Sequence, residues 1–540
     1  MPDDLRRRLS LSPTLGAGNF LHCAHLVNEH RDTPLLHTSD DVVTADGSTR
    51  RSFSISQLKN AADGAAAWYF ERGIRPMDPV AVFCQDGLQH LIQYVALTAL
   101  GAIPVLMNGA LEPSVAAGYL HGVGVVGVLT DHHRAAVLER LVRPDALRFL
   151  ARVEEVRAPE PARLPDHYPF EHTHDDPVLV THSSGTTGAP KAIVLTNGGW
   201  FHGIRHLLGL ESAEGADRYL SAIPPSHNAA IAYAIHAVLT GASIMVVSRT
   251  GGEHVAADIE RFRPSSVAAF PTTYVDLAEL PDRDFSSVTT WINSGDAAHE
   301  SHIRRLIKHG YHHRSSHRID GSQFVDCLGS SEMGHALFRA VHTPYTDNYE
   351  RCVGVPQEWV DAVVLDRDGR RLSAGEVGRL AVRTPSITAG YWNDSSLTYR
   401  SRLQGYWLTG DVVYRDWMGC YHHLDRSSDV IPTETGPLYS LQTEELILKH
   451  EEDVADCTVV GINPGDAPRQ IARPVALAVP RVGRTPDAEE MLPAINQRQV
   501  RAGRPALSAV HIVARDEIPV GVTGKVLKRV LRDQLSGGAT

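Results

Sequence analysis

Lysine is nearly missing from this chain. Of 52 basic residues only Lys59, Lys191, Lys308, Lys449, Lys525 and Lys528 are lysine, and the remainder are arginine. The skew fits GC-rich codon usage of a bacterial type. It also isolates Lys191 and Lys525, which fall inside glycine-bearing motifs where codon bias alone favours arginine. Cysteine is scarce as well. Cys23, Cys84, Cys327, Cys352, Cys420 and Cys457 include no Cys-x-x-Cys pair. That spacing excludes a disulfide framework or a cysteine zinc site and is expected of reduced, cytosolic thiols. Long apolar runs are lacking. The longest, Ala229 to Val247, is interrupted by His236, Thr240, Gly241 and Ser243, so a buried helix and then a strand are expected in place of a membrane span. The first eight residues, Met-Pro-Asp-Asp-Leu-Arg-Arg-Arg, hold no apolar core of a secretory leader. No basic stripe interrupts a net charge of -11, so neither nucleic acid nor membrane is expected as a partner.

What is present is ordinary in bulk. With 540 residues, 43% hydrophobic and 21% charged, the chain is a globular protein too long for one core. Its first half alternates helix and strand. Ser56 to Arg72 has helical apolar spacing, Val80 to Phe83 is a short buried strand, Leu88 to Leu100 is helix, and Ile103 to Leu106 is strand. That rhythm predicts parallel sheets covered by helices. Val123 to Thr130, Ala242 to Val247, Ser266 to Phe270 and Thr289 to Asn293 repeat the strand signal. From about 350 to 425 turns multiply, which predicts a β-rich, more antiparallel subdomain. Residues 426–540 read as a small α+β domain, with helices at Gln442 to His450 and Val526 to Leu535 and strands at Cys457 to Ile462 and Pro474 to Val479. The fold class expected is therefore α/β: a large domain over 1–425 and a small one over 426–540.

One stretch stands out: Thr181-His182-Ser183-Ser184-Gly185-Thr186-Thr187-Gly188-Ala189-Pro190-Lys191. Apolar strands flank it. Glycines let backbone N–H groups approach an anion, and hydroxyls and one lysine add donors and charge. A phosphate chain is the natural ligand. It is not a Walker A loop, because only two residues separate Gly185 from Gly188 and Lys191 comes three later. A plain Ser/Gly surface turn is the alternative, but the flanking strands and the closing Pro-Lys disfavour it.

Four weaker motifs follow. Leu328-Gly329-Ser330-Ser331-Glu332 offers a carboxylate suited to Mg²⁺, although Ser-Glu alone is usually a helix start. Trp407-Leu408-Thr409-Gly410-Asp411 is a turn carrying an acid. Asp425-Arg426-Ser427-Ser428-Asp429 adds an arginine; an aspartate can accept ribose hydroxyls and an arginine can meet ribose or phosphate. Gly521-Val522-Thr523-Gly524-Lys525 sets a lysine on a glycine turn, which alone reads as a capping loop.

The order of these pieces resolves them. From about Phe53 to Arg532 the chain resembles the acyl-adenylate-forming superfamily of acyl-CoA synthetases, peptide-synthetase adenylation domains and firefly-type luciferases. The resemblance implies activation of a carboxylic acid with MgATP to an acyl-adenylate plus pyrophosphate. Transfer of the acyl group to coenzyme A follows, with the small domain rotating between the steps. It implies that Ser183, Ser184, Gly185, Thr186, Thr187, Gly188 and Lys191 hold phosphates, and that Glu332, with Thr186, holds Mg²⁺. It places Asp411 on the ribose hydroxyls, Arg426 on the ribose side of AMP, and Gly295, Asp296, Ala297, Asp326, Cys327, Leu328, Gly329 and Ser331 around the nucleotide. It makes Lys525 the group that stabilises charge at the carboxylate and α-phosphate. It gives His227, Asn228 and Gly295 to the acyl pocket, His227 with a gating role, and Ser428 to the hinge. ATP or AMP, Mg²⁺ and coenzyme A are the implied cofactors and co-substrates. The implied partners are a small carboxylic acid or its acyl-adenylate, with a homodimer as an option.

Ser226, His227 and Asn228 supply no acid for a substrate ammonium, and no carrier segment follows Lys525, so a free-standing ligase for a non-amino acid is expected. Five positions depart from the family pattern: Ala192 where glycine is usual, Leu328 for an aromatic, Asp296 for glycine or alanine, Ser428 for an acid or lysine, and Pro432 for lysine. A carboxylate at 296 would repel phosphate or a substrate acid. Two further readings stay open: an enzyme that only makes the thioester from a supplied adenylate, and a non-catalytic binder. Retention of Glu332, Asp411 and Lys525 argues against the last.

Overall fold

The computed structural model describes residues 2–143, 146–183, 190–210, 218–314, 317–347, 349–463, 471–522 and 524–537. It divides into two compact units. One holds residues 1–269, 329–336 and 384–400; the other holds 270–328, 337–383 and 401–540.

The first unit carries a seven-stranded sheet in the order Gly390–Tyr391, Ala192–Thr196, Pro177–His182, Ile103–Met107, Pro79–Phe83, Gly127–Thr130, Phe149–Arg152. Its centre is parallel and its Gly390 edge antiparallel. Ile103–Met107 is buried at every position, as a strand covered on both faces requires. The helix Gln89–Ala99 between two of these strands is buried at every residue after Gln89. A second sheet joins Ser266–Ala269, Arg218–Ala222, Ser243–Val246, Leu36–Val43 and Thr49–Phe53. The interrupted apolar stretch is a helix, Asn228–Thr240, and then the strand Ser243–Val246; Gly241 at φ +74° ends the helix between them.

The strand expected from Val123 begins only at Gly127. Val123 closes the helix Pro113–Val123, and Gly124, at φ +73°, caps it. Left-handed backbone at a glycine is what stops the helix there, and apolar content alone did not reveal it.

In the second unit Asp361–Leu365, Gly378–Arg383, Tyr406–Arg415 and Tyr421–Arg426 form an antiparallel meander. Residues 426–540 add the strands Val454–Ile462, Arg473–Pro480 and Ala509–Ile512. Ile447 of the helix Ser440–His450 and Ile495 of the helix Ala488–Arg501 pack with Val459 and Ala476 in one core. The second of these helices is mostly polar and contains Pro493; it buries only Met491, Ile495 and Gln499, a four-residue spacing that gives a single thin stripe.

Glu445 ties this helical layer to the segment 299–300. Its Oε2 lies 2.8 Å from His299 Nδ1, and its Oε1 accepts the Glu300 amide at 3.0 Å. Arg351 stands 3.6 Å away. Burial alone would raise the carboxyl, but the bond and charge of His299, the Arg351 guanidinium and the Glu300 amide outweigh it and hold the group down to about 2. The folded value is depressed, so this stability is complete above the unfolded carboxyl range and is lost as pH falls toward 2. It amounts to on the order of 3 kcal/mol. Glu445→Gln is expected to flatten the loss of stability between pH 5 and 2 in denaturant titrations; an unchanged slope would show that other carboxylates dominate acid unfolding.

Candidate active site

In the first unit the strands Pro177–His182 and Ala192–Thr196 pair antiparallel down to His182 opposite Ala192. This closes the neck of the phosphate-type loop. The Ser183 amide donates to the Lys191 carbonyl at 3.1 Å, and the Lys191 amide donates to Ser183 Oγ at 3.0 Å. Ser184, Gly185, Thr186, Thr187 and Gly188 lie outside the described residues. Beyond the neck, Lys191 Nζ sits 5.6 Å from the centre of the Tyr391 ring, within cation–π range. The Tyr391 hydroxyl donates to Glu332 Oε1 at 3.0 Å. One tyrosine thus joins the lysine expected at phosphate to the carboxylate expected at Mg²⁺. The Thr388 amide holds the Glu332 carbonyl at 2.7 Å.

Among the described residues no group of three His, Cys, Asp or Glu side chains could hold a metal by itself. Glu332 fits Mg²⁺ all the same, because this ion commonly takes one or two carboxylates and completes its shell with phosphate oxygens and water.

His227 caps the helix Asn228–Thr240, its Nδ1 accepting the Ala229 amide at 3.2 Å. Ser331 Oγ donates to Asn228 Oδ1 at 3.2 Å, so two residues expected at different subsites touch. Asp86 was not singled out in the sequence, yet it fixes two loops: the Ser226 amide donates to its Oδ1 at 2.8 Å and the Gly109 amide to its Oδ2 at 3.1 Å. Its signal was its place just after the buried strand Pro79–Phe83, where parallel sheets put their sites.

In the second unit Asp411 and Arg426 are directly opposite on paired strands. Arg426 donates to Asp411 Oδ1 at 2.7 Å, and His423 Nε2 lies 3.3 Å from the same oxygen. Burial opposes ionisation, but Arg426 and His423 prevail and hold the carboxyl far below its usual range. Its other oxygen, Oδ2, is buried with no hydrogen-bond partner among the described residues. A permanently ionised carboxylate with an unused buried oxygen suits a donor pair such as the ribose diol.

Two expected nucleotide segments are joined by a residue the motifs do not contain. Asn293 Nδ2 donates to Asp326 Oδ1 at 2.7 Å and to the Asp296 carbonyl at 2.8 Å, drawing 295–297 and 326–329 together. Burial pushes the neighbouring Cys327 thiol up to about 12, which keeps it inert as a nucleophile. Leu328 is buried. At the expected hinge the Ser428 carbonyl accepts from Arg532 at 3.4 Å, and Arg532 also reaches Asp429 at 3.3 Å.

Phe270 is the packing point for the two glycines that precede Asp296 and Lys525. Gly295, at φ +90°, lies so close to the ring that an added Cβ would stand 2.8 Å from Cδ1 and Cε1. Gly524, at φ +73°, lies against the other edge, where a Cβ would stand 3.2 Å from Cδ2 and 2.9 Å from Thr272 Oγ1. Only glycine satisfies both the close approach and the backbone conformation. The residue after each glycine is a charged one. Burial raises the Asp296 carboxyl, but the charge of Lys525, the Ala297 amide at 2.9 Å, Lys528 and His423 together hold it below its usual range. Asp296, a departure in sequence, is therefore held ionised with Lys525 as the largest charge acting on it.

The fold is of the mixed α/β class. The chain belongs to the AMP-binding enzyme family, whose model matches residues 27–392. It is 38% identical over 551 residues to a 3-aminoavenalumate diazotase of a Streptomyces species, covering 98% of each chain. It is 26% identical over 569 residues to a 3-amino-2-hydroxy-4-methoxybenzoate diazotase of Streptomyces cremeus, covering 99% of this chain and 98% of that one. Among solved structures it is similar to an anthranilate CoA ligase in complex with anthranoyl-AMP, with a TM-score of 0.83 and 19% identity over the whole of both chains. No helix among the described residues is long and apolar enough to cross a membrane.

Proposed function

We propose that this protein is an ATP-dependent diazotase acting on an amino-substituted aromatic carboxylate. The observation that carries the reading is the 38% identity to a diazotase across 98% of both chains. The site supports it chemically. Joining two nitrogens requires an electrophile at the oxidation level of nitrite. Nitrite resembles a carboxylate in presenting two oxygens, so adenylation can serve it unchanged. A nitrite oxygen attacks the α-phosphorus of ATP and pyrophosphate leaves, giving O=N–O–AMP. The amine then attacks the nitrosyl nitrogen and AMP leaves with the bridging oxygen. The N-nitroso product loses its remaining oxygen as water and becomes the diazonium.

In this scheme Ser183, Ser184, Gly185, Thr186, Thr187, Gly188 and Lys191 bind the phosphates. Asp411 and Arg426 hold the ribose side, while Asp296, Ala297, Cys327, Leu328 and Gly329 line the nucleotide with Asp326. Glu332 would hold Mg²⁺, which neutralises charge on the leaving pyrophosphate when bound. Lys525 stabilises charge that develops at the α-phosphate. His227, Asn228 and Gly295 border the organic substrate. Residues 426–540 turn about Ser428 between the two steps, relative to a larger domain spanning 1–425.

A second reading is the acyl-CoA ligase, favoured by the carboxylate that both relatives' named substrates carry. Isotope labelling separates the two. With [¹⁸O]nitrite, MgATP and a 3-aminobenzoate, one ¹⁸O is expected in AMP. Pyrophosphate release that needs only the organic acid, with a coenzyme A thioester as product, would overturn the diazotase reading in favour of the ligase.

A further inference from the structure

We propose that Asp296 is the proton shuttle of the second step: it takes the proton the aromatic amine gives up and returns it to the oxygen that leaves as water. The inference rests on the diazotase reading and names a residue for its least served step. Amine attack on O=N–O–AMP forms the N–N bond, breaks the N–O bond to AMP and releases one proton. The nitrosamine then tautomerises to Ar–N=N–OH, and breaking its N–O bond consumes one proton. The sum, ArNH₂ plus O=N–O–AMP giving ArN₂⁺, water and AMP, is redox-neutral and needs no net proton. One group that carries a proton from nitrogen to oxygen completes the cycle, and an ionised carboxylate beside the reaction is the group for it.

Asp296 is built for that position. Its main chain is fixed by Asn293 Nδ2 on its carbonyl and by Gly295 pressed against Phe270. Its Oδ1 is occupied by the Ala297 amide at 2.9 Å, which leaves Oδ2 without a hydrogen-bond partner among the described residues. Phe270, held between Gly295 and Gly524, fixes the backbone that carries Asp296 and the backbone that carries Lys525. Burial works against its charge, but the charges of Lys525 and Lys528 and the Ala297 amide keep it ionised between turnovers. A second negative charge next to Lys525 hinders a substrate carboxylate at that spot. It has the opposite effect on an amine nitrogen that becomes cationic as it attacks.

The two half-reactions can be read separately in the full-length protein. Nitrite-dependent exchange of labelled pyrophosphate into ATP reports adenylation. Amine-dependent AMP release, with diazonium trapped by a coupling phenol, reports the second step. In Asp296→Asn, which keeps an acceptor for the Ala297 amide, the amine step is expected to fall by about 100-fold more than exchange does. Asp296→Ala is expected to regain part of the amine step when formate is added, a rescue that a purely structural residue does not show. Equal loss in both assays without formate rescue, or no loss in either, overturns the shuttle and leaves the diazotase reading standing. A parent enzyme without nitrite-dependent exchange overturns both.

Discussion

Lys525→Ala is expected to slow nitrite-dependent pyrophosphate release by about 10³-fold while KM for ATP changes by less than about 3-fold. The split follows from where the lysine stands. Gly524 against Phe270 fixes the backbone from which the lysine projects before substrate arrives. Preorganised charge acts most strongly on the state in which charge moves, here on oxygens of the α-phosphate as pyrophosphate departs. In the proposed site, Lys191, Asp411 and Arg426 would give ground-state ATP other anchors. Lys525→Arg is not a rescue, because a planar fork replaces a compact ammonium. A large rise in KM with kcat untouched would sink the role and make Lys525 an ordinary phosphate ligand.

The second large effect is on stability. Lys528→Met is expected to cost about 3–5 kcal/mol, read from urea titration of the purified protein. Lys528 Nζ donates to Ser440 Oγ at 2.5 Å and to Glu444 Oε1 at 2.7 Å. Its side chain is 11% exposed and that of Glu444 is 4% exposed. Glu444 also accepts the Val459 amide at 2.7 Å, and Ser440 Oγ donates to Asp425 at 2.9 Å. Removing the cation leaves two buried carboxyls, Glu444 and Asp425, with neutral donors but without the lysine's charge.

Asp425 gives this a pH signature. Burial already pushes it up to about 6 against the pull of Lys528. Without the lysine it rises further. A carboxyl raised above its unfolded value binds its proton more tightly when folded, so folding gains as pH falls through the folded value. The deficit of Lys528→Met is therefore expected to be smaller at pH 5 than at pH 8. An equal deficit at both would place the lost energy in packing instead.

Strands and glycine motifs were legible in the sequence because each is local. The buried strand Pro79–Phe83 and the helix after it follow from apolar spacing alone. So does the neck of the phosphate loop, where strands on either side had to meet. What stayed hidden is whatever depends on distant residues. Tyr391 lies 59 positions from the Glu332 it binds, and Asp86 lies 140 from the Ser226 amide it holds. Neither sits in a motif. Phe270 is an ordinary core aromatic until two glycines close on it. Asp296 was visible as a departure, but the charge of Lys525 that acts on it comes from 229 positions away in the sequence. Ser226 to Asn228 offer no acid to an amine, whereas Asp296 offers a carboxylate.

Phe270 also constrains how this enzyme can vary. Positions 270, 295 and 524 are bound into one epistatic unit, since each glycine tolerates only the ring it touches and the ring has no slack on either edge. A smaller residue at 270 would loosen both charged neighbours at once, and a larger one would evict both. Drift at any of the three is thus penalised unless the others move with it. Position 296 stands outside that unit, because the ring registers the backbone of Gly295 and leaves the side chain after it open to selection for chemistry.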